Sequence, residues 1–209
     1  MKISAILEDE QYIKMTDRSR QRAIDGVTKK ETIECLEFYG KKKDDNNDTH
    51  GKYFSNCVPA AIKIDGIDYA SSEHYFQISK FMVDDDTVTA WCKDKKVSLE
   101  EQLAMNQKNI HLMYQMSPVE VAKHGRSYRS APIRPDWNSA RVGVMFEALK
   151  EKFKIAEFRE ALIDTGNKVL IERAPDDAYW AINNKGVGEN ILGVLLMVLR
   201  EEMKSGLIH

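Results

Sequence analysis

Hydrophobic and polar positions alternate at Ile62, Ile64, Ile67 and Tyr69, with Asp65-Gly66 between the two pairs. Asp-Gly tolerates the two positive φ angles of a type I′ turn, so this period of two predicts a β-hairpin. Ser71-Ser72 follows, and a serine hydroxyl there can accept from a free backbone N–H and cap a helix. Beyond Lys96 the period becomes helical. Ser98 with Glu101 forms a capping box for a helix reaching Met116, and Ser117-Pro118-Val119-Glu120 repeats the device with Pro at the first helical position. Gly125 is the expected stop of that second helix. Val142, Met145, Phe146, Leu149 and Phe153 recur at helical spacing as a core stripe. Gly166 ends a further short helix, and Glu189 to Met203 reads as a buried terminal helix. Ile33 to Tyr39 and Lys168 to Ala174 read as strands. The expected class is mainly α, α+β at most: one globular helical domain with a small β-hairpin or antiparallel strand element.

The 209 residues suit about one domain. Residues 1–30 are polar and mixed in charge, with a short helix around Asp17 to Ile24, and form an N-terminal extension to a domain at 31–209. Lys41 to Lys52 has no apolar anchor and is expected to be a mobile, solvated tip. The net charge of -2 argues against a broad basic surface that tracks nucleic acid, leaving room for a local patch. Cys35, Cys57 and Cys92 lie far apart with no CxxC pair, which fits a reducing compartment. The N-terminal stretch MKISAILEDEQYIK lacks the apolar run of a secretory signal. Ile191 to Leu199 is too short to cross a bilayer. The expectation is a cytoplasmic protein with no membrane partner. No HxxxH or HExxH spacing occurs, so no metal is assigned and no cofactor is expected.

Candidate chemistry centres on SSEHYFQISKF, Ser71 to Phe81. At 100° per residue, Glu73, Gln77 and Lys80 fall within about 60° of one another on a helix. Tyr75, Ile78 and Met82 lie opposite and would anchor it; Phe76 and Phe81 flank the polar stripe. One reading is plain amphipathicity, with the stripe in water. The other notes that large aromatics beside an exposed stripe are costly surface. It also notes that Glu73 lies in the first turn, where free N–H groups favour an ionised carboxylate. Such a carboxylate between aromatic walls suits stabilisation of a transient cation or activation of a water. His74, about 100° away, suits a core or supporting role.

The chain resembles the NADAR (YbiA-like) family, in order from about Phe38 to Arg200. The resemblance rests on Phe38-Tyr39-Gly40, Gly51-Lys52-Tyr53-Phe54-Ser55-Asn56, Ser72-Glu73-His74-Tyr75-Phe76-Gln77 with Lys80-Phe81, Ser117-Pro118, and Ala122-Lys123 leading to Gly125-Arg126. It continues through Trp137, Arg141 and Met145, Lys152-Phe153, Thr165-Gly166, Glu172, Asp177-Ala178-Tyr179-Trp180, Gly188-Glu189-Asn190 and Leu192-Gly193. Three departures stand out. Ala181 replaces the usual Gly after Trp180 and is expected to narrow the pocket by one methyl. Cys57 replaces an aromatic, and the loop before Gly51 is longer.

The resemblance implies a mainly helical N-glycosidase with Glu73, Trp137 and Asp177 at its active site. The first reading is hydrolysis of the C1′–N bond of ribosylamino-pyrimidine phosphates, early intermediates of riboflavin synthesis. Another is removal of ADP-ribose from guanine bases, free or in nucleic acid. A third is a non-catalytic binder of ADP-ribose or nucleotides, against which intact Glu73 and Asp177 count. Cleavage passes through an oxocarbenium-like state. Glu73 is expected to activate the water and, with Asp177, to balance charge on the sugar. Asp177 also suits a turn. Trp137 would stack on base or ribose. Lys80, Arg126 and Arg141 are candidate phosphate contacts, each also fit for a surface ion pair. Asn56 and Asn190 are candidate hydrogen-bonding groups, and Phe76, Gln77 and Trp180 complete the candidate substrate-binding set. Nothing in the sequence fixes the oligomeric state.

Overall fold

The computed structural model describes residues 34–38 and 51–206. In chain order the elements are β1 (Cys35–Phe38), α1 (Gly51–Phe54), β2 (Ile62–Ile64), β3 (Ile67–Tyr69), α2 (Ser72–Ser79), α3 (Asp85–Lys95), α4 (Leu99–Gln115), α5 (Pro118–Ser127), α6 (Trp137–Lys152), α7 (Ala156–Asp164), β4 (Val169–Glu172) and α8 (Ile191–Lys204). The mainly helical class is as expected from sequence. The expected short helix around Asp17 to Ile24 and most of the polar stretch Lys41 to Lys52 lie outside the described residues. At the end of that stretch, Gly51 and Lys52 open α1 and are not loop.

The chain forms two compact units, one reaching Val58 and resuming at Phe153, the other spanning Pro59–Lys152. In the first, β1 and β4 pair in parallel, Cys35 opposite Val169 and Phe38 opposite Glu172. This pairing is parallel, where the sequence suggested only antiparallel strands, because the paired segments are far apart in the chain and no hairpin joins them. Phe38, Phe54, Phe153 and Phe158 form its aromatic centre; Phe54 meets Phe38 edge-on at 5.5 Å and Phe153 in a stack at 6.3 Å. α8 lies on β4 and α7, burying Leu192, Leu195, Leu196, Val198 and Leu199. Gly193 permits that approach, since a Cβ there would stand 2.2 Å from the Leu170 carbonyl oxygen. Among the described residues no helix is long and apolar enough to cross a membrane.

In the second unit, β2 and β3 form the expected hairpin, Ile62 opposite Tyr69 and Ile64 opposite Ile67. Asp65 and Gly66 take φ of 51° and 79°, both positive as a type I′ turn requires. Ser71 caps α2, accepting from the His74 N–H. α4 is capped by Ser98, which accepts from the Glu101 N–H. α5 carries the full reciprocal box of Ser117 and Glu120. α3 is an element the periodicity missed. Asp84 caps it and Lys96 ends it at φ 57°, but it buries only Val88 and Cys92, too few to draw a stripe.

Three other expectations need correction. Gly125 does not end α5, which continues to Ser127; its missing side chain serves packing instead, as described below. The stripe on α6 is broader than expected: Ala140, Gly143, Val144 and Ala148 are also buried, Val142 is only partly covered, and Phe153 lies past the helix in the first unit. Met82 does not anchor α2, because it falls past the helix end and stays 47% exposed.

Candidate active site

α2 packs against β3, α4, α5 and α6. With neighbours on so many sides, all eight of its residues are buried, the polar ones included. The stripe therefore does not lie in water: Glu73 is 8% and Gln77 4% exposed. Gln77 Nε2 donates to Glu73 Oε1 at 2.8 Å, one helical turn away. A first-turn carboxylate faces the positive end of the helix dipole, which favours its charged form. Gln77 in turn sits against Gly125 of α5, where a Cβ would stand 2.0 Å from Gln77 Oε1 and 3.1 Å from its Cβ.

The aromatic wall is real. Phe76 and Trp137 meet with ring centroids 4.9 Å apart at 52°. Trp137 is the first residue of α6 and half-buried. The loop before it is clipped by a two-pronged ion pair, Arg134 Nε to Asp136 Oδ1 at 2.6 Å and Nη2 to Oδ2 at 2.7 Å. The Arg134 N–H donates to the Lys80 carbonyl at 3.1 Å, fastening the loop to the end of α2. Arg141 stands one turn along α6 from Trp137, on the same face.

Lys80 Nζ donates to the Gly125 carbonyl at 2.6 Å. Burial first, then the charges of Arg129 and Arg126, hold Lys80 below the usual lysine range. Three cations thus share one neighbourhood at the ends of α2 and α5. Such a group repels itself and suits a phosphate, whose oxygens take point-charge and forked donors together. Arg129 was not marked from sequence; its only signal was its place three residues beyond Arg126, one turn on had the helix continued. Within this unit the fold gathers Glu73, Phe76, Gln77, Lys80, Arg126, Trp137 and Arg141 around α2.

The remaining candidates belong to the first unit. Asp177 Oδ1 accepts from the N–H groups of Tyr179 at 2.9 Å and Trp180 at 2.8 Å, so the turn role weighed from sequence is present. Its other oxygen takes no part in that turn. Trp180 meets Tyr179 edge-on at 5.2 Å, and its carbonyl accepts from the Leu192 N–H at 3.1 Å. Asn190 sits at φ 53°; its Oδ1 accepts from the Glu172 N–H and its Nδ2 donates to the Leu170 carbonyl, both on β4. Asn56 is buried just after α1. Ala181 has no exposed surface, so its methyl packs inside the unit and does not trim a pocket from its rim. Among the described residues no three His, Cys, Asp or Glu side chains gather as a metal site would require.

A mainly helical protein with a buried, amide-braced glutamate beside paired aromatics and clustered cations has the parts of a hydrolase acting on an anionic, ring-bearing molecule. The chain belongs to the NADAR family: the NADAR domain matches residues 37–204. It is 37% identical over 169 residues to the N-glycosidase YbiA of Escherichia coli K12, covering 80% of this chain and 88% of that protein. It is 32% identical over 159 residues to the maize chloroplastic riboflavin biosynthesis protein PYRR, covering 72% of this chain and 23% of the maize protein. The NMR structure of E. coli YbiA matches with a TM-score of 0.61 at 32% identity, covering 85% of this chain and 91% of that one.

Proposed function

We propose that the protein is an N-glycosidase hydrolysing the C1′–N bond of ribosylamino-pyrimidine phosphates, early intermediates of riboflavin synthesis. Residues 31–209 form its catalytic domain. The reading is supported by the names of the relatives and, above all, by the Glu73 carboxylate braced by Gln77 beside the Phe76–Trp137 pair. As the C1′–N bond lengthens, positive charge develops over C1′ and the ring oxygen. Glu73 takes a proton from the attacking water, and its negative charge offsets the sugar cation. The water oxygen bonds to C1′, the bonding pair leaves with nitrogen, and the departing amine is protonated from solvent. The products are ribose 5-phosphate and the aminopyrimidine.

Trp137 stacks on the base or ribose, with Phe76 behind it. Lys80, Arg126 and Arg141 hold the phosphate, joined by Arg129. Asp177 is the second acid and balances the sugar cation; Trp180, Asn56 and Asn190 contribute to binding, Asn190 through the β4 backbone it braces. The substrate is small and nucleotide-like. A second reading, release of ADP-ribose from guanine bases, uses the same bond chemistry. It is favoured by one observation: Lys80, Arg126 and Arg129 supply more positive charge than a monophosphate requires. The purified protein is incubated with the ribosylamino-pyrimidine phosphate and, separately, with ADP-ribosylated guanosine, and products are separated by chromatography. Ribose 5-phosphate from the first is the expected result. ADP-ribose from the second alone establishes the alternative, and neither product overturns both.

A further inference from the structure

We infer that Gln77 is a positioning residue for the Glu73 carboxylate, and that Gly125 is glycine because its bare Cα forms the seat for the Gln77 amide. The inference rests on Glu73 being the working carboxylate, and it changes the part given to Gln77 from contacting the substrate to holding another side chain.

Three observations carry it. Gln77 Nε2 donates to Glu73 Oε1 at 2.8 Å. Gln77 Oε1 is buried and has no hydrogen-bond partner. A Cβ on Gly125 would overlap that oxygen at 2.0 Å and the amide carbon at 2.7 Å. The amide has no second orientation, since turning it would set its oxygen against a carboxylate oxygen. At 4% exposure the side chain also has no room to swing away.

A buried acceptor left without a donor is a cost to the fold that an apolar side chain of the same length would not incur. Its presence beside a carboxylate proposed for catalysis marks a residue whose value is functional. Gly125 is itself anchored, because Lys80 Nζ donates to its carbonyl at 2.6 Å. With no Cβ on Gly125, the Gln77 amide occupies the space a side chain there would fill. The positioning line therefore runs from Lys80 through Gly125 and Gln77 to Glu73.

The test uses Gln77→Met, which keeps length and burial and removes the donor. kcat should fall on the order of 10²-fold, with KM changed far less. A donor favours the ionised carboxylate, so its loss should move the acid limb of the kcat/KM profile upward by about one pH unit. The melting temperature should shift by no more than a few degrees, because the relief of the orphaned Oε1 offsets the donor lost to Glu73. Gly125→Ala should lower kcat similarly, and in a Gln77→Ala background, where the amide is already gone, it should cost nothing further. An unmoved acid limb with kcat retained in Gln77→Met would overturn the inference, as would additive losses in the Gln77→Ala, Gly125→Ala pair. Should Gly125→Ala fail to fold, the Gln77→Met profile decides alone. Glu73→Gln is assayed in parallel: if it stays active, the reading of Glu73 has failed, whereas an inactive Glu73→Gln with an unaltered Gln77→Met refutes only the positioning role.

Discussion

His74 Nε2 donates to the Met116 carbonyl at 2.9 Å across 42 residues of chain, tying α2 to the junction of α4 and α5. Its other nitrogen, Nδ1, lies 2.8 Å from Ser71 Oγ and accepts that hydroxyl's proton. The ring is fully buried, so the histidine beside Glu73 is a structural cross-link. His74→Ala should destabilise the protein by about 2–4 kcal/mol, from a cavity and an orphaned buried carbonyl. Urea unfolding followed by circular dichroism measures it; a loss under about 0.5 kcal/mol would mean that the bond carries no load.

Lys80, Arg126 and Arg129 form a self-repelling group, and an anion relieves it. Inorganic phosphate at about ten times its dissociation constant should raise the melting temperature of the parent by about 3–6 °C, and leave Lys80→Gln unmoved. The pH dependence has a definite sign. Lys80 titrates below its ordinary 10.5 when folded, so between that lowered value and 10.5 the unfolded chain binds more protons and stability rises with pH. Differential scanning fluorimetry across the alkaline range, parent against Lys80→Gln, isolates this contribution.

Tyr69 and Tyr75 give the opposite sign. Burial first, then hydrogen bonds involving Tyr114 for Tyr69 and Glu147 for Tyr75, push both well above the ordinary tyrosine value of 10.0. Above pH 10 the unfolded chain loses these protons while the folded one keeps them, so the contribution, complete below that pH, declines as pH rises. Ultraviolet titration should show two tyrosines ionising only with unfolding, and one fewer in Tyr75→Phe.

Gly193→Ala should cost about 3 kcal/mol, because its Cβ would meet the Leu170 carbonyl oxygen at 2.2 Å and the Asn190 amide at 2.6 Å. Neither can yield cheaply: one is strand backbone, and the other is held by β4 at both ends. Chemical denaturation checks the value.

Much of this arrangement is legible in the sequence wherever a local rule acts alone. Asp65-Gly66 specifies its turn, and Ser71, Ser98 and Ser117 announce three helix starts, because caps and turns are settled within four residues. Legibility fails where the partner is distant. Gly125 looks like a helix stop, and nothing nearby reveals that Gln77 occupies the space its side chain would fill. The stripe on α2 looks solvent-facing because periodicity assumes one wet side, whereas this helix is covered on every side. α4 reverses the usual pattern too, burying Gln102, Asn106 and Asn109 along with Met113; Gln102 bonds Asn106 and the Ser130 carbonyl, and Asn109 bonds His124. The candidate glutamate was found from its first-turn place and aromatic neighbours, while Trp137 and Asp177 came only through the family resemblance.

The most direct measurement is single-turnover release of ribose 5-phosphate by Glu73→Gln, which keeps the side chain's shape and removes its charge. The account predicts a rate at least on the order of 10²-fold below the parent, with an unchanged melting temperature to within a few degrees. Release at the parental rate by a folded Glu73→Gln protein would contradict it.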